Sequence, residues 1–204
     1  MVTGRRGDRG QVHTLEAVVA GVVVVAGLVY ALQVTAVTPL SASTSSQHIE
    51  NQQTAVVEGV LAASVADGSL ERTLLAWDDA NERFYGTAGD RAYFVTDLPD
   101  TAFGDRLYRT FEARGVAVNV VVRYRTPSGS GTQRVIYRGK PSDNAVTVVR
   151  PLTLFDGDEL RFENGTATGT TVSGATPFYV EAAVADGSSV AYKVVTVEVT
   201  VWRM

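Results

Sequence analysis

The run EAVVAGVVVVAGLVYALQVTAV, residues 16–37, decides how the rest of the chain is read. From Ala17 to Val37 it has no charged residue, and as a helix it spans roughly 31 Å, about the thickness of a bilayer's hydrocarbon core. Residues 16–38 are therefore expected to form a transmembrane helix in contact with membrane lipid. Arg5, Arg6 and Arg9 precede the run, and the next arginine or lysine is Arg72. That asymmetry expects residues 1–10 to be a basic cytoplasmic leader and everything after the helix to lie outside the cell. A cleavable secretory signal also has a basic start, but its apolar core is about half this length and ends in small residues. Here the apolar run is full length and is followed by Thr38-Pro39.

The formal charge of the chain is −4, and the first sixteen residues carry three arginines against Asp8 and Glu16, so the remainder carries −5. A mildly acidic outer part argues against a nucleic-acid partner, which selects a basic face. Without cysteine there is no disulfide framework, thiolate metal site, catalytic thiol or lipidated cysteine. Of the 18 basic residues only Lys140 and Lys193 are lysines; this bias with an acidic balance resembles the proteins of salt-loving archaea, and a GC-rich genome alone is the other source of it.

Arg9-Gly10-Gln11 followed by Val12-His13-Thr14-Leu15-Glu16 and the apolar run resembles the class III signal peptide of archaeal type IV pilins and archaellins. In that family a membrane peptidase cuts after a short basic leader, and the apolar helix stays on the mature subunit. The resemblance implies processing around Gly10, Gln11 and Val12 by a prepilin-type peptidase. A cut after Gly10 makes Glu16 the sixth mature residue, and a cut after Gln11 makes it the fifth, the family's usual place for a glutamate. The resemblance further implies that Glu16 pairs with a neighbouring subunit's new N-terminal amine during assembly. Independently of the family, a carboxylate at the edge of hydrocarbon costs several kcal/mol unless it snorkels or finds a partner. In the first helical turn it would also be favoured by the helix dipole. An interfacial residue among headgroups is the simpler alternative. Glu16, Ala17, Gly21, Gly27 and Ala31 fall on one stripe of the helix, and such a small-residue face admits close approach of a second helix.

Thr38-Pro39 and the serine-rich stretch after it predict a kink or short break. Thr44 with Gln47 reads as a capping box that opens an amphipathic stalk helix within residues 39–68. Ile49, Val56, Val57, Val60, Leu61 and Val65 recur at helical spacing along it, and Asp67-Gly68 ends it. Residues 69–204 read as an α+β head with a mainly antiparallel sheet. A short helix is expected over 69–77, a strand over 91–96, and a helix capped by Asp100 or Thr101 that stops at Gly115. Alternation then predicts a meander of strands near 118–125, 133–137, 145–154 and 159–163, a loop over 164–177, and a final pair, 178–185 and 190–202, joined at Asp186-Gly187. Pro151 requires its strand to be an edge or to bulge. A membrane helix, an amphipathic helix and a β-rich head are also the layout that the pilin resemblance implies.

The only histidines are His13 and His48, so no histidine-based triad or zinc site can be assembled in the head. Hydrolase, metalloprotease, P-loop and Rossmann signatures are absent from the sequence. Asp156-Gly157-Asp158-Glu159 and Asp78-Asp79 with Glu82 could offer oxygen ligands, but each reads first as a turn or a solvated loop. No cofactor and no metal are expected. Asn164-Gly165-Thr166 is the one N-x-[ST] glycosylation sequon. The leading expectation is thus a non-enzymatic, single-span, pilin-like or pseudopilin-like subunit that assembles with other such subunits through its helix. A stand-alone anchored binding module is the alternative from another class, and an ectoenzyme ranks third.

Overall fold

In the computed structural model, the described residues are 7–181 and 190–203, without the side chains of 7–12 and 34–46. The chain divides into two compact units, Met1–Ile49 and Glu50–Met204. The architecture is α+β: an N-terminal apolar helix and antiparallel sheets.

Helix α1 runs Gly7–Ala66. Two expectations change here. Thr38 and Pro39 lie within the helix, so the predicted break does not divide the chain into two helices, although a proline there removes one backbone donor and crowds the carbonyl four residues before it. Thr44, read as a cap, is likewise inside α1. The helix also begins earlier than the apolar run, because adding residues to an existing helix is much cheaper than nucleating one. Residues 7–10 of the polar leader are helical as a result, and Glu16 lies well beyond the first turn.

In the second unit the last turns of α1 bury Val57, Val60, Leu61 and Ser64 in the head's core, while Val56 stays 46 % exposed. Asp67 and Gly68 end the helix as expected: Gly68 takes φ 67°, the left-handed region open to glycine. Helix α2 follows over Ser69–Leu74. Helix α3, Ala102–Thr110, is capped by Thr101, whose hydroxyl accepts from the Gly104 amide at 3.2 Å. It passes through a 3-10 turn, Glu112–Arg114, to Gly115 at φ 71°.

The main sheet has the order β4-β3-β8-β5, with every pairing antiparallel, from β3 Val116–Thr126, β4 Gly129–Ile136, β5 Val146–Phe155 and β8 Ala191–Arg203. Pro127-Ser128 turns β3 into β4, with Thr126 opposite Gly129. The sheet is not a simple meander, because the last strand inserts between β3 and β5. Val118, Val120 and Val122 pair with Val201, Val199 and Val197 in register, and all six are buried on the face that meets the helices. Pro151 sits on β5, which is an edge strand, the place where a sheet tolerates a residue without a backbone donor.

Two small hairpins complete the head: β1 Trp77–Asp78 with β2 Arg83–Phe84, and β6 Glu159–Arg161 with β7 Ala167–Thr171. The expected strand at 91–96 is reduced to one bridge, Phe94 with Ile136, because Phe94 alone of that segment is buried. The expected strand at 178–185 is not formed over its described part, 178–181. Phe178, Tyr179 and Val180 are buried in succession, which a strand with one wet face cannot do. They serve instead as core anchors: the Tyr179 ring packs 5.0 Å from that of Trp77 and 5.3 Å from that of Phe84, centroid to centroid. The remainder of that strand and the Asp186-Gly187 turn lie outside the described residues.

Candidate functional site

In the first unit, His13–Gln33 is long and apolar enough to cross a membrane. Each of its residues is exposed, including Val22, Val25 and Leu28, whose exposures are all above 60 %. An apolar cylinder bare on every side is what a helix surrounded by lipid or by other helices presents. The stripe of Ala17, Gly21, Gly27 and Ala31 lies on this cylinder. A methyl group added at Gly21 or Gly27 would meet nothing within 4 Å, so these glycines answer to no packing need of their own chain.

Glu16 has a neighbour that the sequence reading did not connect with it: His13 Nδ1 lies 3.7 Å from Glu16 Oε2, one helical turn back, with both side chains more than three-quarters exposed. The spacing of three residues was the available signal. Gly10, Gln11, Val12 and Arg9 lie in the helical backbone of α1, their side chains undescribed. Arg5 and Arg6 lie outside the described residues.

In the head, the acidic candidates prove to be turns. Asp158 Oδ2 accepts from the Phe155 amide at 2.7 Å, which closes the β5–β6 connection. Asp78 accepts from the amide and side chain of Asn81 at 3.2 and 2.7 Å, so that carboxylate ties its own loop. Among the described residues no three His, Cys, Asp or Glu side chains gather as a metal site would require. A cleft of about 350 Å³ opens between the 96–100 loop and α3, bordered by Asp97, Asp100, Asp105 and Tyr108. Its three aspartates are exposed, and neither histidine nor cysteine is available to the head as nucleophile or base. Asn164 is exposed in the turn between β6 and β7.

What the sequence reading missed are the long-range polar ties that hold the head's helices. Arg106 reaches Asp67 Oδ2 at 2.6 Å and the Ser64 and Ser69 hydroxyls at 2.7 and 3.2 Å, joining the end of α1 to α2 and α3. Asp67 is drawn well below the ordinary carboxylate range by the Ser69 hydroxyl, then by the Arg106 guanidinium and the Ser69 amide. Nothing local in the sequence marks these partners, which are 37 to 42 residues apart.

A family model described as a family of unknown function, DUF7288, matches residues 9–201. No curated protein and no solved structure matches the chain. The matched span takes in the apolar helix and the head alike, so the helix is part of the family's unit and not an appendage to it.

Proposed function

The chain belongs to the DUF7288 family, and we propose that it is a non-enzymatic, single-span, pilin-like surface subunit that assembles through its N-terminal helix. The observation that carries this reading is α1 itself. Its early part is apolar and bare on every side, and its last turns supply Val57, Val60 and Leu61 to the core of a β-rich head. The same element thus offers an insertion and assembly surface at one end and a folded display domain at the other. The basic cluster Arg5, Arg6 and Arg9 ahead of the helix supports an N-terminus in the cytoplasm and a head outside the cell.

The leader supports the same reading. If the chain is cut at Gly10-Gln11 or Gln11-Val12, Glu16 moves from deep in α1 into the first two turns of the mature helix. There the positive end of the helix dipole favours its carboxylate, and the new amine of an adjacent subunit can pair with it. His13 Nδ1, 3.7 Å from Glu16 Oε2, is the side chain beside it before any neighbour arrives.

The test is incorporation of full-length variants into surface assemblies. Glu16→Ala and Gly21→Leu are expected to insert in the membrane with a protease-resistant head yet to be lost from filaments or other multimers. Normal incorporation of both would remove the assembly reading and favour the stand-alone anchored binding module.

A further inference from the structure

Phe162, Asn164 and Thr166 share the five-residue turn between β6 and β7. The turn is closed by the Phe162 amide donating to the Thr166 carbonyl at 2.9 Å and the Gly165 amide donating to the Phe162 carbonyl at 2.8 Å. Gly165 takes φ 78° there, which glycine adopts without strain. Asn164 Oδ1 accepts from the Thr166 amide at 3.0 Å and the Thr166 hydroxyl at 2.7 Å. The amide nitrogen Nδ2 has no hydrogen-bond partner among the described residues. Of the five asparagines in the chain, Asn164 alone begins an N-x-[ST] sequence. Asn119 shows the contrast: it is 4 % exposed, and its side chain is bonded to Arg138 and Gly139.

The second observation is Phe162. It is 44 % exposed, with its ring centroid 5.4 Å from that of Tyr85. A lone exposed phenylalanine needs no explanation. This one, however, stands two residues before the sequon asparagine and borders the same groove of about 210 Å³, alongside Arg72 and Glu163. A flat apolar ring flanked by hydrogen-bonding side chains suits the C–H face and hydroxyl rim of a sugar.

We infer that Asn164 is an N-glycosylation site whose first sugar covers Phe162. Nδ2 forms the bond to the anomeric carbon of a saccharide carried on a lipid phosphate or pyrophosphate. The anomeric C–O bond breaks, the lipid phosphate leaves with the electron pair, and the Nδ2 proton passes to a base of the membrane oligosaccharyltransferase. The two donors on Oδ1 withdraw electron density through the amide and make the Nδ2 protons more acidic. The inference rests on the outward placement of the head, which the experiment therefore reads separately.

The experiment uses the full chain in membranes of cells that glycosylate a control sequon. Because the chain has no cysteine, Ser128→Cys in the exposed β3–β4 turn reports by labelling with an impermeant maleimide whether the head is outside. Mass spectrometry of the tryptic peptide 162–193 reads the modification. The expected result is external labelling and a saccharide mass on Asn164 that is lost in Asn164→Gln and Thr166→Ala and kept in Thr166→Ser. External labelling with an unmodified peptide overturns the glycan and leaves the topology standing; absence of labelling overturns both. The glycosylated chain should melt higher than Asn164→Gln, and that difference should vanish in a Phe162→Ala background. An equal difference in both backgrounds overturns the seat on Phe162.

Discussion

Arg138 Nη2 lies 2.6 Å from Glu112 Oε1, and the two side chains are 11 % and 19 % exposed. Arg138 Nε donates to the same oxygen at 2.7 Å, and Nη1 donates to the Val95 carbonyl. This pair fastens the 3-10 turn after α3 to the chain leaving β4. It bridges 26 residues, so its loss loosens a long-range tie. The pair is only partly buried, so removing one partner leaves a charge that water still reaches, at a cost of about 1–3 kcal/mol. Glu112→Ala is expected to lower the stability of the head by that order in denaturant titrations of the full chain in detergent. Glu112→Met with Arg138→Met should recover most of the loss; a double variant as unstable as the sum of the singles would show that the pair is not the tie described.

Asp67 gives the head an acid-sensitive tie. Its carboxyl is held well below the ordinary range by the Ser69 hydroxyl, the Arg106 guanidinium and the Ser69 amide. A depressed folded-state pKa contributes stability above the unfolded value, near pH 4, and that contribution is lost as pH falls through the folded value. The melting temperature of the full chain should therefore fall on acidification from about pH 4, and Asp67→Asn should flatten that part of the profile. The measurement is a melting series from pH 7 to pH 2 for both proteins.

At the alkaline end the buried phenols dominate. Tyr179 donates to the Leu74 carbonyl at 3.0 Å and Tyr192 to the Val180 carbonyl at 2.7 Å, and burial pushes both phenols upward. A raised folded-state pKa gives stability that is complete below the unfolded value and lost above it, so the profile should be level to about pH 10 and fall beyond it. Tyr179→Phe leaves the Leu74 carbonyl without its donor and should cost about 1–3 kcal/mol at neutral pH, read by denaturant titration.

Gly104 sits where α3 meets the preceding loop. A Cβ there would lie 2.0 Å from the Pro99 carbonyl oxygen, a contact with backbone that no rotamer change relieves. Gly104→Ala, ordinarily favourable within a helix, should instead destabilise the head by about 1–3 kcal/mol. Gly21→Ala and Gly27→Ala, where space is open, should leave the head's melting temperature unchanged.

Local signals carried much of the fold. Thr101 as a cap, Gly68 and Gly115 as left-handed terminators, and the alternation of Val118, Val120 and Val122 each depend on a few adjacent residues. The position of β8 does not, because strand order is set by contacts between distant segments. One clue was present: Val199-Thr200-Val201-Trp202 is an uncharged, mostly apolar run, which suits a central strand covered on both faces, and all four are buried. Hairpins of two and three residues such as β1 and β6 are too short to show a period. At Pro39 the chain stays helical on both sides, because a proline costs one ladder bond and crowds the carbonyl four residues before it without fixing where the element ends. For the site, the apolar run, Glu16 and the sequon were visible because each is contiguous. The Arg106 and Arg138 ties were not, since any of the arginines could have been paired.

The central claim is that the basic leader is removed and the apolar helix becomes the N-terminus of an assembling subunit. Its most direct test is mass spectrometry of the N-terminal peptide of the protein recovered from native membranes. The account predicts a mature chain starting at Gln11 or Val12, with Glu16 as its sixth or fifth residue. A chain that retains Arg5, Arg6 and Arg9 would contradict it and leave a plain signal anchor carrying the head.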